Sequence, residues 1–336
     1  MLHKIIELYL DALRKRDVAP TTLKATRSDL AHLGQWWEIK HQRAFDPAHL
    51  VDRDLRAWKA TRQQLDGAAP STINRGLSTI RRFCAWASEQ GLMVENPATD
   101  LTDVPSEPLS PRSLPDEGID VLLRAARQEQ KALLRLRDEA LLALLIYAGL
   151  RVQEVCDMQL RDLDLAAGTI TVRCGKGNRP RRIPLHADAH RLLRRYLDEV
   201  RCPAGLPPLG SDEERQQLLM GVQVTVKTQP ARPGISPGLV RHRVRLLGQR
   251  AAVQLQTAAK LEPSLERVKR LERLAQMLET VSPHMLRHSL ARRMLKNGAQ
   301  LSEVQRVLGH SRLSTTGVYL TPSEDDLRDA IDRAGI

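Results

Sequence analysis

The stretch "ENPATDLTDVPSEPLSPRSLP", residues 95–115, places prolines at 97, 105, 108, 111 and 115. Proline has no backbone N–H and its ring clashes with the preceding turn, so neither a helix nor an inner strand can run through residues spaced like this. Whatever the chain folds into, it must break here. With 336 residues there is enough chain for a core on each side. The expected organisation is a helical domain over residues 1–104, a Pro-rich linker over 105–115 and a second domain over 116–336.

Four helices are expected before the break. The first, over 2–16, carries Ile5, Ile6, Leu8, Leu10 and Leu13. The second runs through "LKATRSDLAHLGQWWEIKH" with Thr21 or Thr22 as its cap, and the third follows Asp52. The fourth, "STINRGLSTIRRFCAWASEQG", is capped by Ser71 or Thr72 and stopped by Gly91. Its Ile73, Leu77, Ile80, Cys84 and Ala87 fall on one stripe at helical spacing, with Arg75, Arg81 and Arg82 opposite.

After the break the pattern is mixed. "LRDEALLALLIYAGLRVQEV" reads as a buried helix, a turn at Gly149 and a second helix. "TITVRC" and "RRIPL" flank a Gly-Lys-Gly-Asn turn, the signature of a β-hairpin. Residues 186–282 are mostly helical. "SPHMLRHSLARRMLKNG" is opened by Ser282 and Pro283, and "LSEVQRVLGH" is expected to be capped by Ser302. A last helix is expected over 323–333. The fold class is therefore mainly α, with a small β-sheet in the second domain.

Charge narrows the partners. Residues 1–110 hold 15 basic and 14 acidic side chains, whereas 111–336 hold 37 and 26, and the whole chain carries +12. A surface this basic attracts polyanions through counterion release, which favours nucleic acid. Cys84, Cys156, Cys174 and Cys202 stand far apart without a C-x-x-C pair, arguing against zinc knuckles and a disulfide framework. No apolar run reaches the roughly 18 residues of a membrane span, and the amino terminus lacks a signal peptide's pattern. A cytoplasmic protein is expected.

Six residues have the character that displacing an alcohol from a phosphodiester demands. Charge developing on non-bridging oxygens calls for planar, permanently charged guanidinium groups. Arg151 follows the "YAGL" turn, and His284 and Arg287 lie three apart, on one helix face. Lys176 sits at the hairpin tip, His310 closes the next helix, and Tyr319 follows nine residues later. Taken singly, each has an ordinary structural reading.

Together, "AGLRVQEV", "GKGNRPRRIPL", "SPHMLRHSLA" and "VLGHSRLSTTGVYL" resemble the signature stretches of the tyrosine recombinases, the family of phage integrases and Xer-type recombinases. "APSTINRGLSTIRRFCAWASEQGLMVENPA" is similar to that family's helical (SAM-like) core-binding domain. The resemblance implies a two-domain C-shaped clamp around duplex DNA, acting on specific core recombination sites. It implies that Arg151 and Arg287 hold the scissile phosphate, that His284 and His310 support it, and that Lys176 protonates the leaving 5′ oxygen. Tyr319 would attack, giving a 3′-phosphotyrosine without metal, ATP or other cofactor. Glu154 would orient Arg151, and His288 would pack its helix. Candidate DNA contacts are Lys24, Arg27, Thr72, Arg75, Arg81 and Arg82 in the first domain. In the second they are Arg179, Arg181, Arg182, Arg241 and Arg243. The helix after Tyr319 is expected to exchange between protomers of a synaptic tetramer.

One departure stands out. Lys176 and His284 are 108 residues apart. The surplus is expected over 247–280, a charged helical insertion with Leu261, Leu265, Val268, Leu271, Leu274 and Leu278 on one face. Two rival readings remain. A metallohydrolase would use His284, His288 and His310 as ligands, but Met285 stands where an H-E-x-x-H motif needs glutamate. A DNA-binding regulator could keep the fold and lack catalysis.

Overall fold

Proline, which divides the chain, also starts four of the described α-helices. In the computed structural model, residues 2–105, 112–173, 180–221 and 234–309 are described. Cα packing separates the chain into two units, Met1–Leu109 and Ser110–Ile336.

The first unit holds α1 (Leu2–Arg14), α2 (Pro20–His41), α3 (Asp52–Gln64) and α4 (Pro70–Glu89). The caps differ from expectation. Ala19 and Ala69 occupy the cap positions of α2 and α4 and give no side-chain cap bond, so Thr21, Thr22, Ser71 and Thr72 lie in the first turns. The reason is Pro20 and Pro70, whose fixed φ suits the first helical position. Asp52 is likewise the first residue of α3 rather than its cap, where its carboxylate faces the positive helix pole. The expected stripe of α4 is fully buried, Ile73, Leu77, Ile80, Cys84 and Ala87 all at 0% exposure. It packs in one core with Leu33, Trp37, Leu55 and Trp58. Gly76 permits close packing of α3 on α4, since a Cβ there would lie 2.9 Å from the Trp58 ring.

The second unit is built around one apolar helix. α5 (Asp116–Arg127) precedes α6 (Ala132–Ile146), whose Leu141–Ile146 are wholly buried, and α7 (Val152–Asp157) follows. An antiparallel sheet, ordered β1 (Leu163–Asp164), β2 (Thr169–Val172) and β3 (Arg181–Pro184), comes next. Its register pairs Ile170 with Ile183 and Val172 with Arg181. The two long strands are those expected, while the two-residue β1 is too short to leave a periodic signal. α8 (Ala187–Tyr196), α9 (Pro237–Leu261), α10 (Leu265–Glu279), α11 (Pro283–Lys296) and α12 (Leu301–Leu308) complete the described unit. The cap of α12 is Gln300 rather than Ser302, with Glu303 accepting from the Gln300 backbone N–H at 2.7 Å.

The charged stretch 247–280 is not one helix. Pro263 separates α9 from α10, and the two pack against each other. Leu274 and Leu278 are buried as expected, but Leu261 and Leu265, beside the break, are exposed. α6 also buries charge. Asp138 accepts from Arg137 at 2.9 Å and from Arg243 at 3.0 Å, and Arg243 is only 8% exposed. Arg243 therefore belongs to the interior rather than to a DNA-facing surface. Burial pushes the Cys84 thiol up to about 12 and, as the largest cause, that of Cys156 to about 11, so neither is a thiolate at neutral pH.

Candidate active site

The turn between α6 and α7 puts the first arginine in place. Gly149 adopts a φ of +60°, which L-residues rarely tolerate, and a Cβ there would stand 2.8 Å from Leu290 and Leu308. Leu150 is buried, which fixes the chain at the residue before Arg151. Arg151 is then the residue that precedes α7, and Glu154 sits at the third helical position. Glu154 accepts from the Arg151 backbone N–H at 2.8 Å and from Arg151 Nη1 at 2.8 Å. One carboxylate thus caps the helix start and aims the side chain beside it.

α11 supplies the second arginine. Ser282 accepts from the Met285 N–H at 3.3 Å, and Pro283 takes the first helical position, as the sequence predicts. Arg287, 4% exposed, crosses inward and donates to the carbonyls of Gly149 and Leu308. His284, one turn earlier, keeps access to solvent. Its pKa is lowered, first by the desolvation its packed surroundings impose and then by the charges of Arg287, Arg241 and Arg151. His288 is lowered too, by burial and then by His284 and Arg287. Both imidazoles are therefore neutral at pH 7.

The end of α12 ties these groups together. Three consecutive carbonyls each receive a different arginine. Val307 O accepts from Arg181 Nε at 3.0 Å, Leu308 O from Arg287, and Gly309 O from Arg151 Nη2 at 3.0 Å. The last carbonyls of a helix lack partners within it and carry its negative pole, so guanidinium groups are the natural donors. Gly309 takes a φ of +64°, the left-handed conformation that ends a helix. His310 is the next residue in sequence.

Arg181 completes the cluster in a place the charge pattern alone does not suggest. Its Nη1 and Nη2 meet Glu154 Oε1 and Oε2 at 2.9 and 2.8 Å, and its side chain is only 10% exposed. Expected at the DNA surface, Arg181 instead faces inward. Strand alternation carries that signal: Arg181 shares a face with buried Ile183, and Arg182 between them points out. Glu154 feels both effects. Burial pushes its pKa up, but hydrogen bonds from Arg181 and the Arg151 N–H, with both guanidinium charges, hold it at about 2.

Of the residues singled out in the sequence, Arg151, Glu154, His284, Arg287 and His288 are brought together here. Lys176, Arg179, His310 and Tyr319 lie outside the described residues. Arg241 on α9 is exposed and near enough for its charge to depress His284. Arg182 is exposed and bonds Thr169 and Asp164. In the first unit, Lys24, Arg27, Arg75 and Arg82 are exposed on α2 and α4, with Thr72 partly so. Arg27 pairs with Glu7 at 2.8 Å and Arg75 with Asp29 at 2.8 Å. Arg81 is folded onto the Leu101 carbonyl and Asp103.

Residues 112–325 match the phage integrase family, and residues 6–91 match the phage integrase N-terminal SAM-like domain. Tyrosine recombinase XerC of Xanthomonas campestris pv. campestris is 33% identical over 316 residues, 94% of this chain and 83% of that one. Tyrosine recombinase XerD of Ralstonia nicotianae is 31% identical over 329 residues, 96% and 91% of the two chains. The fold is similar to that of the Tn1549 transposon integrase, with a TM-score of 0.65 at 18% identity over 98% of this chain and 99% of that one. An arginine pair gathered by a helix end, in a chain matched by both family domains and by relatives over nearly its whole length, leads to one conclusion: this chain belongs to the phage integrase family and is a tyrosine site-specific recombinase.

Proposed function

We propose that Tyr319 cleaves and rejoins duplex DNA at specific core sites through a covalent 3′-phosphotyrosyl intermediate. Arg151 and Arg287 hold the scissile phosphate, neutral His284 donates to a non-bridging oxygen, and His310 supports the same group. The Tyr319 oxygen attacks phosphorus, its phenolic proton passes to solvent, and the bond to the 5′ oxygen breaks. Lys176 delivers a proton to that oxygen. In the second half of the reaction a 5′ hydroxyl attacks the phosphotyrosine and releases the tyrosine. The ester stores the energy of the broken bond, so religation needs no ATP. The guanidinium groups supply the charge stabilisation that a metal ion provides elsewhere.

One observation carries this reading. Arg151, just before α7, and Arg287, on α11, converge on the helix end that leads directly into His310, and the charges of both are felt at His284. A phenol with an ordinary pKa near 10 is a poor nucleophile at pH 7. Permanently charged donors on the phosphate make up for that by stabilising the transition state. Two further points support DNA as the substrate. The relatives are named tyrosine recombinases, and the Tn1549 integrase was solved with circular intermediate DNA. Exposed Lys24, Arg27, Arg75, Arg82, Arg182 and Arg241 then contact the duplex, together with Thr72, Arg81 and Arg179. Assembly is as a synaptic tetramer joined through the helix expected over 323–333, and the enzyme works in the cytoplasm on nucleoid DNA. No helix among the described residues is long and apolar enough to cross a membrane.

Covalent trapping tests the proposal. Wild type and Tyr319→Phe are incubated in EDTA with nicked duplexes tiled from the gene's own flanks. An SDS-resistant protein–DNA band in wild type, absent in Tyr319→Phe, is the expected result. Tight sequence-specific binding with no band in wild type would replace the recombinase reaction with a regulatory one.

A further inference from the structure

Arg151 and Glu154 raise a problem of charge. A carboxylate bonded to a phosphate-binding arginine cancels the charge that the phosphate needs. The structure answers it with a second arginine. Arg181 grips both oxygens of Glu154 while its Nε holds the Val307 carbonyl at 3.0 Å. Glu154 then has four hydrogen bonds, two from Arg151 and two from Arg181, which saturate its acceptor sites. Two guanidinium groups around one carboxylate leave a single positive charge. Arg181 is nearly buried, whereas the Arg151 side chain is 26% exposed, so the uncompensated charge is the one open to an anion.

The fit around Arg181 is close. A Cβ on Gly309 would stand 2.8 Å from Arg181 Nη1, so glycine at 309 both turns the chain and leaves room for the guanidinium. Lysine could supply the charge but not two parallel N–H bonds with a third at Nε. Arg181 also begins β3, the strand that closes the hairpin expected to carry Lys176.

We propose that Arg181 is a positioning residue for strand cleavage. It neutralises and orients Glu154, so that Arg151 is held in place with its charge available to the scissile phosphate. It also fixes the last turn of α12, from which the chain continues to His310. This rests on the reading in which Arg151 binds that phosphate.

The test uses the full chain and the nicked duplex on which wild type forms its Tyr319 adduct. Arg181→Gln and Arg181→Lys are compared with wild type for DNA Kd, single-turnover cleavage and thermal midpoint. A second substrate carries a methylphosphonate at the scissile position, which removes the phosphate's charge. The expected result is a cleavage rate lowered about 100-fold in Arg181→Gln and less in Arg181→Lys, at unchanged Kd. On the methylphosphonate the penalty shrinks at least about tenfold, because the charge Arg181 protects has lost its target. A packing role alone would give the same penalty on both substrates and overturn the proposal. So would a weakened Kd with a salt slope lower by about one, which would make Arg181 a phosphate contact. If Arg181→Gln does not fold, Arg181→Lys carries the same two-substrate comparison. Absence of any wild-type adduct would instead overturn the phosphotyrosine reading on which the proposal stands.

Discussion

Asp29 in the first unit and Glu154 in the second are both buried carboxylates gripped through two oxygens by an arginine, and the two arginines have opposite prospects. Arg75 bonds Asp29 at 2.8 and 2.9 Å, with Thr79 adding a bond at 3.0 Å, yet the Arg75 side chain is 49% exposed. Arg181 bonds Glu154 at the same distances and is 10% exposed. In the proposed reading Arg75, half exposed, can meet a DNA phosphate with its remaining N–H groups while Asp29 stays paired. A buried guanidinium cannot leave without stranding a charge. The same pair chemistry thus leaves a guanidinium at the surface in one unit and a fixed scaffold in the other. Burial, and not the identity of the partners, separates the two.

The largest effect that sharpens this contrast is expected at Arg287, the most buried of the site arginines. Arg287→Ala removes a donor from the Gly149 and Leu308 carbonyls. Cleavage at saturating DNA should fall about 1,000-fold, and urea unfolding should show a loss of about 2 kcal/mol or more. A loss of affinity alone, with cleavage intact at saturation, would break the contrast by making Arg287 behave like a surface contact.

Next in size is the pH dependence of Glu154. Its pKa is about 2 in the folded chain against an ordinary value of 4.5. A carboxyl held low stabilises the fold fully above 4.5 and loses that contribution as pH falls from 4.5 towards 2. The contribution is about 3 kcal/mol. The stability gap between wild type and Glu154→Gln, followed by urea unfolding, should be widest above pH 4.5 and close towards pH 2. A gap independent of pH would mean that the ion pairs with Arg151 and Arg181 are not its source.

The smallest effect belongs to Arg75→Ala. Binding should weaken a few-fold and the slope of log K against log salt should fall by about one, with cleavage at saturation unchanged. A drop in the saturated cleavage rate would show that Arg75 is tied to the chemistry after all.

Where hydrophobic or strand period spoke, the sequence could be read. The α4 stripe, the buried α6, the two long strands and the Ser282–Pro283 start of α11 all follow from local rules. Arg243 and Arg181 depart from the expected surface for one reason: charge carries no phase. Arg243 sits three residues after Val240 and four before Leu247, on the apolar stripe of α9. Arg181 alternates into the sheet's inner face with Ile183. Their partners, Asp138 and Glu154, lie 105 and 27 residues away, and no local pattern announces a pairing at that distance. At α2 and α4 the difference has a local cause, because proline at the first helical position sets the cap two or three residues earlier than Ser or Thr suggests. The candidate site was legible as a set of residue types in order. That its arginines are organised by a helix end was not, because backbone carbonyls leave no mark in a sequence.

That helix end has an electrostatic consequence. Two guanidinium groups set side by side repel, and in a chain without its substrate they would drift apart or point to water. The carbonyls of Leu308 and Gly309 occupy Arg287 and Arg151 with the partial negative charge of a helix terminus, about half an electron in all. They serve as a placeholder for an anion. The work of bringing like charges together is done once, during folding, and in the proposed reaction an arriving phosphate then meets donors already aligned, so that little reorganisation remains.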